Sequence, residues 1–147
     1  MRLRTKGREV ALHIMYQMEV AHGDFSDIFD NYIEYNPQEQ EAVDFARKLS
    51  EGVSVNIVTL DEVIKKHVKN WEIDRMAVID RNILRIATYE LLYLGEIPPK
   101  VSINEAIELA KKFGDVDSPR FVNGILDKIY KAEAGNKSNH EEADAAG

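Results

Sequence analysis

The run Lys100 to Lys128, KVSINEAIELAKKFGDVDSPRFVNGILDK, constrains the fold more than any other stretch, because it spells two helices and the joint between them. Ser102 and Glu105 have the spacing of a capping box, in which each side chain satisfies an N–H that the first helical turn leaves without a partner. Ala106, Ile107, Leu109, Ala110 and Phe113 follow at helical spacing, and Gly114 is placed to close the helix. Ser118 reads as the next N-cap, with Pro119 at the first helical position, where a missing N–H costs nothing. Phe121, Val122, Ile125, Leu126 and Ile129 then form one apolar stripe. The spacing predicts a helical hairpin.

Helical periodicity extends through the rest of the chain. A first helix is predicted from near Thr5 to Ala21, ending at His22-Gly23, with Val10, Ala11, Ile14, Met18 and Ala21 toward the core. Phe25, Ile28, Phe29, Tyr32 and Ile33 mark a short second helix that Asn36-Pro37 ends. Residues 38–69 read as a long helix or two in series, joined somewhere between Gly52 and Thr59. Asn70 to Met76 breaks the period and holds the only tryptophan, as a tight connection would. From Val78 to Leu94 the apolar residues spread around more than one face, which predicts a central helix packed on several sides. Beyond Lys131 there is no large apolar residue to offset the entropy of ordering, so 132–147 is predicted to be a disordered tail.

Composition narrows the function classes. With 44% hydrophobic residues in 147, only 4 Pro and 8 Gly, and no strand-like alternation, the chain reads as a single all-α domain. The absence of cysteine excludes a disulfide framework and a thiolate metal site. The apolar runs are far shorter than the roughly 20 residues that span a bilayer, so a soluble, cytoplasmic protein is expected. His13, His22, His67 and His140 show no metal-ligand spacing, and no glycine-rich phosphate loop occurs. Asp24, Asp27 and Asp30 are spaced to favour a helix start, not a calcium loop. No catalytic residue, metal or cofactor is expected.

Charge distribution says more than the total. Residues 1–8 hold Arg2, Arg4, Lys6 and Arg8 and no acid; taking this +4 from the net −7 leaves −11 on the remaining residues. An acidic body repels a polyanion, so any nucleic-acid contact should concentrate at the amino terminus. There the four cations lead into His13, Tyr16 and Gln17. Cations neutralise phosphates, and aromatic rings stack on unpaired bases.

Three blocks resemble one family. INEAIELAKKFG followed by DSPRFVNGILDK, the segment Ile83 to Leu91 (ILRIATYEL), and the pattern Arg4, Lys6, Arg8, Glu9, Ala11, Tyr16, Gln17 are similar, in the same order, to the NusB family of bacterial antitermination factors. The resemblance implies an all-α fold of two packed three-helix bundles, about seven helices in all, occupying 1–131 and split near 70–78. It implies binding of single-stranded boxA RNA jointly with the ribosomal protein NusE, in a complex that lets RNA polymerase read through terminators. By the same resemblance Arg2, Arg4, Lys6, Arg8, His13, Tyr16, Gln17, Asp117 and Phe121 face RNA, and Asp74 and Asp80 face NusE. Monomer and homodimer both stay open. The competing expectations are a protein-interaction module without RNA contact and an accessory domain for ribosomal RNA methylation; for the latter, the short chain is expected to have no room for a methyl-donor domain.

Overall fold

Asn56 divides the chain. In the computed structural model, which describes residues 2–68 and 72–146 (backbone alone at 72, 74 and 134–146), contacts separate residues 1–55 from 56–147. Every element is helical, and no strand occurs among the described residues. The first unit holds α1 (Arg2–Ala21), α2 (Phe25–Tyr35) and α3 (Gln40–Val55). The second holds α4 (Ile57–Lys65), α5 (Glu72–Arg75), α6 (Val78–Tyr93), α7 (Pro99–Phe113) and α8 (Ser118–Ala146). The split therefore falls after Val55 and not near 70–78, because Leu60, Val63 and Ile64 of α4 are buried and α4 packs on α6 and α8.

In the first unit α1 lies chiefly against α3. The approach is close: a Cβ on Gly7 would sit 3.0 Å from the Ala42 carbonyl oxygen and 3.1 Å from the Phe45 ring. Val10, Ile14, Phe29 and Ala46 form the core, with Met18, Phe25, Ile28, Tyr32, Ile33 and Val43 packed at its edge. The helix starts at Arg2, earlier than Thr5, so all four N-terminal cations are helical. It ends where His22 turns left-handed, at φ 54°. Asp24 caps α2 by accepting from the Asp27 N–H at 3.4 Å, and Ala21, expected in the core, is exposed.

In the second unit α6 is the hub, touching α4, α7 and α8, and it buries residues on all sides, as its apolar spread predicts. A part-buried ion pair joins α4 to α6. Arg85 donates from Nε to Asp61 Oδ1 at 2.8 Å and from Nη2 to Asp61 Oδ2 at 2.9 Å. Its Nη1 donates to Asn82 Oδ1 at 3.1 Å. A two-pronged pair of this kind fixes orientation as well as distance.

The α7–α8 hairpin forms, but through different contacts from those its motifs suggest. Ser102 is no N-cap: α7 begins at Pro99, and the Ser102 hydroxyl, buried, donates to Glu90 Oε1 of α6 at 2.7 Å. Pro99 opens the helix instead, since it lacks the N–H that would need a cap. Gly114 closes α7 at φ −94°, a conformation open to any residue. Glycine is needed there because a Cβ would lie 2.6 Å from Ser118 Oγ. That hydroxyl accepts from the Asp115 N–H at 2.9 Å, while the Phe121 N–H donates to the Asp117 carbonyl at 3.1 Å, so the cap position is Asp117 and not Ser118.

Where a disordered tail is predicted over 132–147, α8 continues to Ala146. Extending an existing helix needs no new nucleus, and the alanines and glutamates on either side of residues 135–140 are strong helix formers. Trp71 and Gly147 lie outside the described residues.

Leu84, wholly buried on α6, is expected to cost about 2–5 kcal/mol when truncated to Ala, read from urea denaturation. Asp61→Ala removes both carboxylate bonds from Arg85 and should cost about 1.5–3 kcal/mol, whereas Asp61→Leu with Arg85→Met should recover most of that stability.

Candidate nucleic-acid and partner surfaces

The helical period sorts the amino-terminal residues onto two sides of α1. Arg2 and His13, like Lys6 and Gln17, are eleven residues apart, about three whole turns at roughly 3.6 residues per turn. Tyr16, one turn beyond His13, flanks that row. Arg2, Lys6 and Gln17 are exposed, His13 is half-buried, and Tyr16 keeps 43% of its surface in solvent, too much for a core aromatic. Lys6 pairs with Glu9 at 3.7 Å on the same side. His13 is stacked on Tyr32 of α2, with centroids 5.9 Å apart and planes at 22°. Burial, and then the nearby Glu9 charge, push the Tyr32 phenol above its ordinary value.

Arg4 and Arg8 sit elsewhere. Nine residues separate Arg4 from His13, about half a turn out of phase. Their guanidinium carbons lie over the Phe45 ring, 4.7 Å and 5.2 Å from its centroid, and Arg8 is only 3% exposed. Arg8 is therefore not available to a phosphate as the sequence suggests, since its charge is already seated on an aromatic face. Phe45 is a residue that sequence reasoning passes over. The available signal was Gly7: a glycine inside a helix weakens it and implies a close neighbour.

The second unit brings three of the remaining candidates together. Asp80, Asp117 and Phe121 line one cleft of about 250 Å³, with Met76, Ala77, Asp115 and Ser118. Asp80, at the start of α6, has a buried Oδ1 that accepts no hydrogen bond from the described residues. Asp115 and Asp117 are exposed, and Phe121 is half-buried at the edge of its core stripe. Arg81 holds one wall, donating from Nη1 to the Ile73 carbonyl at 3.1 Å and the Met76 carbonyl at 3.3 Å. The resemblance assigns Asp117 and Phe121 to RNA and Asp80 to a protein, yet all three share this cleft. Asp74 lies on α5, and its side chain falls outside the described residues. Among the described residues no three His, Cys, Asp or Glu side chains are arranged to hold a metal ion. No helix among them is long and apolar enough to cross a membrane.

The sequence pattern that defines the NusB family matches residues 5–131. The chain belongs to the NusB family. It is 45% identical over 133 residues to the transcription antitermination protein NusB of Myxococcus xanthus, covering 88% of this chain and 95% of that protein. Among solved structures it is similar to T. maritima NusB, with a TM-score of 0.80 and 37% identity over 87% of this chain and 90% of that one. It is also similar to a chain from a crystal structure of the antitermination factors NusB and NusE in complex with dsRNA, at TM-score 0.82 and 32% identity, covering 90% and 98%. The NusB match includes α1 from Thr5 onward and the whole cleft of the second unit.

The two sides of α1 separate in a salt titration. Replacing Arg2 and Lys6 with Ala should flatten the log–log slope of single-stranded RNA binding by about 1–1.5, near 0.7 for each phosphate no longer neutralised. Arg8→Ala should leave the slope alone and lower stability by about 2 kcal/mol, the worth of a desolvated cation on a ring.

Proposed function

We propose that this NusB-family chain is a transcription antitermination factor that holds boxA-type single-stranded RNA on α1 and a basic ribosomal protein, NusE, on its acidic side. The observation that carries the reading is the row Arg2, Lys6, His13 and Gln17, flanked by exposed Tyr16, on one side of a helix in an otherwise acidic chain. Lysine and arginine supply phosphate neutralisation there, and the rings supply faces on which unpaired bases stack. An A-form duplex keeps its base faces inside the helix, so the aromatic part of the row favours single strands.

The cleft beside α6 suits a protein partner better than a phosphate. Three carboxylates line it, and together they repel an anion and attract a cation. A cationic side chain from NusE answers that charge, and Phe121 and Met76 offer apolar surface to its stem. Docking a basic protein also lowers the repulsion that the −7 chain exerts on RNA. The factor acts in the cytoplasm by bringing RNA and protein together and not by catalysing a reaction. Through that assembly it helps RNA polymerase read through terminators, notably in ribosomal RNA operons.

Filter binding tests the reading with boxA-like, scrambled and double-stranded RNA, each with and without NusE. Weak binding of boxA alone, tighter binding with NusE, and little binding of the scrambled strand are expected; equal binding of all three RNAs refutes it. Calorimetry of the Asp74→Asn, Asp80→Asn double variant should show NusE affinity reduced by about 1–3 kcal/mol, with unchanged helix content by circular dichroism.

A further inference from the structure

We infer that Tyr32 of α2 is a positioning residue for RNA binding, holding the His13 ring in the orientation in which it meets a base. This rests on the proposal that RNA lies along the Arg2, Lys6, His13, Tyr16 and Gln17 side of α1. Three observations lead to it. The His13 and Tyr32 rings are stacked across two helices, 5.9 Å apart and only 22° from parallel. Both are half-buried at the rim of the unit, and so neither is sealed in the core. His13 also lies in helical register with Arg2 and one turn from exposed Tyr16, so the stacked pair adjoins the basic row.

Tyr32 thereby brings α2 into a surface otherwise made by α1 alone. An imidazole on an exposed helix samples several rotamers, and RNA would have to select one on binding. A ring stacked beneath it removes most of that freedom beforehand, which raises affinity without adding a charge or a hydrogen bond. Tyr32 acts through His13, and its phenol is dispensable for this purpose.

Fluorescence anisotropy with a boxA-like strand tests the role in the full-length protein. Tyr32→Leu should weaken RNA binding about three- to tenfold while leaving the salt slope unchanged, because no counterion is involved. Tyr32→Phe, which keeps the ring, should retain most of the affinity. In a His13→Ala background, Tyr32→Leu should cost nothing further, since the ring it orients is gone. Parent-like binding by Tyr32→Leu, or losses that multiply in the double variant, overturns the inference. Should the leucine variant fail to fold, the parent protein answers by NMR: the Tyr32 and His13 ring protons should shift together as RNA is added. Tyr32 signals that stay fixed while those of Tyr16 move overturn it as well. A parent that binds no RNA overturns the functional reading and the inference together, whereas an RNA-binding parent with an indifferent Tyr32 overturns the inference alone.

Discussion

The distance between α1 and α3 at Gly7 governs the first unit. With no Cβ there, the Ala42 carbonyl and the Phe45 ring approach α1 directly, and the helix takes the one rotation that this packing permits. Everything else on α1 follows from that rotation. Val10 and Ile14 turn into the core, Arg4 and Arg8 come over Phe45, and the remaining polar residues face outward with Tyr16. A helix has one angular degree of freedom, so seating two cations on an aromatic ring also settles which others stay in solvent. The glycine weakens the isolated helix by about 1 kcal/mol relative to alanine, and the packing it allows offsets this.

The two candidate surfaces differ in physical character. On α1, exposed Arg2 and Lys6 share one side of the helix with the rings of His13 and Tyr16. The cleft of the second unit is built from helix termini and a short joint, with its acids fixed around a partly apolar interior. Acids gathered there disfavour an anionic occupant and favour a cationic one. One chain can thus present opposite electrostatic faces to an acidic and a basic ligand. The net charge of −7 describes neither.

Helix type and order were legible in the sequence because they depend on periodicity, which survives in one dimension. The breadth of the α6 stripe correctly marks a hub, and the joint between α3 and α4 falls at Asn56, inside the range allowed for it. Motifs that depend on a side chain's third-dimension partner were not legible. Ser102 and Glu105 have the spacing of a cap, but α7 starts at Pro99, and Ser102, inside the helix, donates to a buried carboxylate on α6. Gly114 carries the residue type of a left-handed cap yet is required by the bulk of Ser118. Counting four cations in eight residues hides the fact that two of them point about half a turn from the others. The sequence tells which residue types are present; their angular placement depends on Phe45, a neighbour nearly forty positions away.

The Ser118 hydroxyl, accepting from the Asp115 N–H at 2.9 Å over a glycine that leaves no slack, stiffens the joint between α7 and α8. That joint carries Asp115 and Asp117, and across the cleft Arg81 ties down the turn before α6. These bonds hold the cleft from both sides. A basic partner docking there would meet carboxylates already in place, and its association would be set by diffusion and electrostatic attraction. The lifetime of such a complex would depend instead on how well the occupant fits those carboxylates. Related basic partners should arrive at similar rates and leave at very different ones.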